Sequence, residues 1–254
     1  MTTTTESQTY PETYYVGAYW GPRKESPPEC AQRAALFLGM LASCDPFLAQ
    51  WYKFARSRKN ARQHPLMPPD APTLTEMFRR GVNRENGGPV FEDLGFRIGI
   101  HNGGSAYDDA DLNIKCGDYS GATSNVCVLS LPRPGRGANA DRVLTAPVLT
   151  DVVRSMVLAW EPDWAFATSY AYESASPKPG SAPFSLGWIT YLSPQRGPVP
   201  PLPSPVRIEP VEDRGTLIIL TPERFTVANP EHVALARRVR GLLASAGLMQ
   251  PTSS

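Results

Sequence analysis

The chain is poor in the residues and spacings that most often carry chemistry. Only three histidines occur, His64, His101 and His232, each far from the others, so the paired spacing of a zinc protease is absent. The four cysteines, Cys30, Cys44, Cys116 and Cys127, contain no C-x-x-C pair, which argues against local zinc and redox motifs. There is no G-x-S-x-G elbow, no G-x-x-x-x-G-K-S/T loop and no G-x-G-x-x-G turn after a strand. No uncharged apolar run reaches about 18 residues, so no membrane-spanning helix is expected. Neither sign of charge is in excess: 25 basic residues against 24 acidic ones leave +1. A surface so balanced offers no global field for a nucleic-acid backbone or an anionic membrane.

What is present is an ordinary core-forming composition, 41% hydrophobic over 254 residues. The polar opening "MTTTTESQTYPE" has neither a basic start nor an apolar run and is not expected to act as a secretion signal. With no export signal, the cysteines are expected to be reduced, buried thiols in a soluble cytoplasmic protein. The 27 prolines are the compositional oddity, at about twice the average usage. They concentrate in "PKPGSAP" (177–183) and "PQRGPVPPLPSPVRIEP" (194–210). The second run reads as an extended surface connection between strands; a polyproline ligand for an SH3-like partner is the alternative.

Local patterns give the element order. "TYYVGAYWG" (13–21) is aromatic and β-branched, hence a strand. A helix follows, with Ser26 as N-cap, Pro27 and Pro28 in its first turn, Glu29 completing a capping box, and Ala34, Phe37, Leu38 and Leu41 on one face. Beyond Asp45-Pro46 a strand is expected through Trp51 and Phe54, with Lys53 and Arg56 pointing outward. "TLTEMFRRG" (73–81) reads as a short helix capped by Thr73 and stopped by Gly81. Strands are expected at "FRIGIH", "DLNIKCG", "NVCVLSLP", "PDWAFATSYA", "GWITYLS" and "GTLIILT". Helices are expected at 145–160 and at "NPEHVALARRVRGLLASAGL", the latter capped by Asn229 and closed by Gly247. Twice a strand enters a capped helix that ends near an acidic residue and a proline, followed by a tryptophan-bearing strand, which suggests two similar β-α-β halves. The expected class is α+β, a mostly antiparallel sheet packed by about three main helices. Residues 13–249 are expected to form one domain, between short disordered tails at 1–12 and 250–254.

The most site-like stretch is "RIGIHNGGSAYDDADLNIKCGDYSG" (97–121). Cys116 and His101 could be a nucleophile–base pair. Alternation instead places Leu112, Ile114 and Cys116 on one buried face, and His101 reads as a surface turn residue. Asp109, Asp111 and Asn113 match the first ligands of a calcium loop, but Ile114 stands where the glycine is required and no glutamate closes the loop. A hairpin with an acidic tip remains: four aspartates against Lys115 alone give net −3 over 101–120. It is either a solvated tip or an acidic finger for a basic cleft. Tyr14, Tyr15, Tyr19, Trp20, Trp51, Tyr52, Trp160, Trp164 and Trp188 lie mostly in strands, and any exposed ones would be interface anchors.

Several segments, in this order and spacing, resemble the Immunity protein 52 family of bacterial polymorphic-toxin systems. They are "YYVGAYWGPRKES" (14–26), Asp45-Pro46 with Trp51, "RSRKNA" (56–61), "DLGFRIGIHNGG" (93–104), "WEPDWAFATS" (160–169), "GWITYLS" (187–193) and "TPERFTVANPEH" (221–232). The "RSRKNA" segment resembles a glycine-containing version and carries no role over. The resemblance implies a cytoplasmic antitoxin that binds a cognate toxin, often a restriction-endonuclease-like nuclease delivered by type VI secretion. It implies no catalytic residues; no cofactor, metal, direct nucleic-acid or membrane partner is expected. The candidate toxin contacts are Asn102, Tyr107, Asp108, Asp109 and Asp111, with Trp20 and Arg23 as a second patch. The competing reading is a small-molecule enzyme or binding module with a pocket near His101, Asn102 and Cys116.

Overall fold

A computed structural model of the chain describes residues 12–54, 65–66, 69–84, 88–175 and 186–249. The 1–11 head, Arg56 and the "RSRKNA" stretch, His64, "PKPGSAP" and the 250–254 tail lie outside the described residues.

The strands are β1 (Tyr14–Trp20), β2 (Tyr52–Lys53), β3 (Leu94–His101), β4 (Asp111–Asp118), β5 (Asn125–Ser130), β6 (Trp164–Ser169), β7 (Ile189–Leu192), β8 (Arg207–Pro210) and β9 (Thr216–Ile219). The helices are α1 (Pro27–Cys44), α2 (Ala71–Arg80), α3 (Asn139–Val143), α4 (Ala146–Trp160), α5 (Tyr170–Ala175) and α6 (Pro230–Ser245). The nine strands form one sheet in the order β2-β3-β4-β5-β1-β6-β7-β9-β8. Every neighbouring pair is antiparallel, so the fold is α+β as expected. The two suspected β-α-β halves are not equally spaced. Strands β5 and β6 flank β1 directly, whereas three strands separate β1 from β2.

The period-2 alternation of β1 sorts its side chains into two environments. Tyr14, Val16, Ala18 and Trp20 join the core. Trp20 stacks on Trp160 of α4, ring centroids 5.2 Å apart, which places α4 on this face. Leu112, Ile114 and Cys116 continue the same face on β4, and Phe37, Leu38 and Leu41 of α1 close it. Each such fully buried apolar side chain contributes about 1.5–3 kcal/mol. At the start of α1 the Glu29 carboxylate accepts from both the Ser26 amide and its hydroxyl, each at 2.7 Å. Tyr15, Gly17 and Tyr19 point the opposite way.

Several local expectations need correcting. The strand after Asp45-Pro46 is only two residues long, because Pro46–Leu48 turns as a 3-10 helix first. Trp51 is buried just ahead of it, donating its indole N–H to the Leu48 carbonyl at 2.9 Å. Phe54 is 57% exposed and packs no core. Helix α2 starts at Ala71 with Asp70 as cap, and the Thr73 amide is the donor to it at 2.8 Å. Strand β6 stops at Ser169, and Tyr170 begins α5. The proline-rich run ends in an edge strand, β8, where Pro210 and the charged Arg207 and Glu209 discourage further pairing. Helix α3 was not foreseen at all.

Candidate interaction surfaces

The 101–111 turn is built from the inside out. Asn102 ties it together: its side-chain oxygen accepts from the Ala110 amide at 2.8 Å and the Gly104 amide at 3.2 Å, and its amide donates to the Phe47 carbonyl at 3.1 Å. All of that side chain's described bonds lie within the protein, so it shapes the turn. His101 is 6% exposed, which corrects the surface-turn expectation. Its ring lies against Tyr52 and Phe54, at 5.8 and 5.3 Å, and its Nδ1 accepts from the Gly103 amide at 3.1 Å. His101 pairs across the sheet with Asp111, while Cys116 pairs with Phe96. Five positions separate His101 from Phe96 along β3, so His101 and Cys116 point to opposite faces and cannot form a nucleophile–base pair. Burial also pushes the Cys116 thiol far up, away from the reactive thiolate.

The four aspartates of this stretch divide. Asp118, at the far end of β4, is 0% exposed and takes no part in the tip. Its carboxylate accepts from Lys115, from the Thr123 hydroxyl at 2.7 Å and from Ser120. Burial alone would raise its pKa, but these donors outweigh it and hold it down at about 2. Asp108 is bound to the start of α3, accepting from the Asn139 amide at 3.2 Å and its side-chain Nδ2 at 2.8 Å. The carboxylate presses so closely on Gly137 that a Cβ there would lie 2.0 Å from Cγ. Asp109 and Asp111 are half-buried and line a cleft of about 420 Å³ with Tyr14, Tyr107, Arg133 and Tyr170.

Tyr107 stands at the rim, 49% exposed. It is one of few non-glycine residues with positive φ, at 69°. The Arg133 amide donates to its carbonyl at 2.7 Å. The Arg133 guanidinium lies 4.4 Å from the ring centroid and that of Arg136 lies 5.7 Å away. A left-handed non-glycine residue costs about 1–2 kcal/mol, and each exposed cation–π contact returns about 0.5–1 kcal/mol. The two roughly cancel, so this knob adds little to stability. Sequence reading passed over Arg133 and Arg136; the signal available was the tight "PRPGRG" turn at 132–137, where two arginines alternate with turn formers.

Of the expected second patch, Trp20 is buried and Arg23 is half-buried. Trp20 is 2% exposed and closed into the core beneath Arg23, whose guanidinium lies 5.1 Å from its ring. Arg23 itself donates to the Trp160 carbonyl at 2.9 Å and pairs with Glu25 at 3.1 Å, so its work is internal. The aromatics divide between the core and the opposite face of the sheet. Tyr14, Trp20, Trp51, Trp160 and Trp188 are core. On the opposite face a continuous ladder runs Tyr170–Tyr15–Phe166–Tyr19–Trp164, with successive centroids 4.5, 5.8, 5.5 and 5.7 Å apart. Arg196 closes it, 6.0 Å from Trp164. Tyr19 and Trp164 remain half-exposed. Burial pushes the Tyr19 phenol up to about 12, so it stays a neutral donor.

Three comparisons bear on this geometry. The model of a family described as Immunity protein 52 matches residues 12–252. No curated protein matches. Among solved structures, the Pseudomonas aeruginosa T6SS protein PA0821 is similar, with a TM-score of 0.53 at 12% identity, over 94% of this chain and 76% of that one. At that identity the likeness speaks for the fold alone. No helix among the described residues is long and apolar enough to cross a membrane.

Proposed function

The chain belongs to the Immunity protein 52 family, and from that premise we propose that it neutralises a cognate secreted toxin by binding it stoichiometrically. The observation that carries this reading is the extent of the match, which takes in the whole sheet and every described helix. The finer proposal is that the toxin is a restriction-endonuclease-like nuclease delivered by a type VI secretion system. The fold likeness to a T6SS protein is in keeping with it. The 101–111 turn, with Tyr107 foremost, is the proposed contact region. Its parts are fixed from behind by Asn102 and Asp108, so little ordering would be lost on binding. Neutralisation would follow from covering or distorting the toxin's active site in the cytoplasm of the producing cell.

Co-expression tests this. The cognate toxin domain should arrest growth alone and be harmless when the chain is co-produced, and calorimetry should give a 1:1 complex. Continued killing with no complex would overturn the reading. The small-molecule alternative loses its main support, because His101 and Cys116 lie on opposite faces of the sheet.

A further inference from the structure

Resting on that reading, we propose that Tyr107, Arg133 and Arg136 form the docking knob of the chain, and that it seats on a carboxylate-lined protein surface of the toxin. The inference starts from what the side chains do not do. Both arginines are exposed and next to a cleft lined by Asp109 and Asp111, yet neither makes an ion pair among the described residues. Their guanidinia lie over the Tyr107 ring, while their backbone amides bond to carbonyls of the two turns. A guanidinium in this state keeps its planar fork of donors available for a carboxylate.

The knob is also preorganised. The Arg133 backbone is fixed by its amide's bond to the Tyr107 carbonyl, and the Arg136 amide donates back to the Arg133 carbonyl at 3.2 Å. Gly135, at φ 72°, turns the chain between them, and Asp108 pins both turns to α3. Held rings and held guanidinia lose little freedom on binding, and Tyr and Arg are the side chains that dominate interface energetics. An aromatic in a left-handed position where glycine would be cheaper is a feature without a folding rationale.

The charge of the partner follows from which groups face outward. Asp108 is committed to α3, and Asp109 and Asp111 face the cleft, so the outward groups are the two cations. A phosphate backbone fits poorly, because its unbroken row of charges would meet Asp109 and Asp111 beside the arginines. Discrete carboxylates on a protein surface can be set against the two arginines alone.

The test uses the full chain and the toxin domain that it neutralises on co-expression, made catalytically inactive, with a single-stranded DNA oligonucleotide as a second probe. Arg133→Gln/Arg136→Gln should weaken toxin binding by more than about 30-fold, the range of a hot-spot pair, and flatten its salt dependence, with an unchanged melting temperature. Tyr107→Gly should retain folding, since glycine suits φ 69°, and still lose about 10-fold or more in affinity. Undiminished affinity in both variants would overturn the knob while leaving the immunity reading intact. Arginine-dependent binding of the DNA would overturn the carboxylate partner in favour of nucleic acid. Failure of the unaltered chain to bind the toxin domain would overturn the immunity reading and this proposal together.

Discussion

At one end of β4, Asp118 is closed to solvent and gathers Lys115, Thr123 and Ser120 around it. At the other end, Asp109 and Asp111 line a cleft beside Tyr107, and Asp108 is bound to the start of α3. The residue type is the same and the sequence separation is ten positions or fewer, yet the environments differ in dielectric and in the number of donors. The buried end uses its carboxylate to satisfy a buried ammonium, so charge there is a folding matter. The open end divides its carboxylates between holding a turn and lining a cleft, so charge there is a matter of the surface.

The largest expected effect breaks the buried end. Asp118→Ala leaves Lys115 buried without its anion and should cost about 3–5 kcal/mol by denaturant unfolding, enough to lower yield of folded protein. Acid should act on the same group. Its folded pKa, about 2, lies below the ordinary carboxylate value near 4. Its contribution is therefore complete at neutral pH and is lost as pH falls from about 4 toward 2. A stability profile that is flat across that window in the wild type would contradict the role given to Asp118.

Asp108→Ala should come next, at about 1 kcal/mol, since it removes a charged partner from the start of α3 and from Asn139. A shift of about 2–4 °C in Tm is the corresponding signal for a chain of this size. Tyr107→Gly should change stability less than either, because relief of the left-handed strain offsets the lost ring contacts. A loss above about 2 kcal/mol there would show that the knob is part of the folding core after all.

How much of this was legible in the sequence depended on how local the cause was. The Ser26–Glu29 cap spans four positions, and the alternation of Leu112, Ile114 and Cys116 spans five, so both could be read directly. His101 was misjudged because the rings that cover it, Tyr52 and Phe54, come from a segment nearly fifty residues away. Helix α3 is only five residues long and takes its carboxylate partner, Asp108, from 31 positions back. Strand β8 was hidden in a proline-rich run whose final residues carry the pairing. Trp20 looked like an anchor because the sequence does not show that Trp160 stacks on it. The knob joins Tyr107 to Arg133 across 26 positions, and only the fold brings them together.

The smallest expected effect is the sharpest on the open end. Asp109→Asn/Asp111→Asn removes two charges from the cleft without changing side-chain shape. For binding, the two pictures of this turn predict opposite signs. An acidic finger entering a basic cleft would lose steering charge, so toxin association should slow and its salt dependence should fall. A cationic knob meeting carboxylates would lose two nearby repelling anions, so association should hold or quicken and salt should still weaken it. Measuring the association rate at two ionic strengths therefore reads the sign directly. A slower rate in the double variant would restore the acidic tip as the contact and reduce Arg133 and Arg136 to partners of the Tyr107 ring.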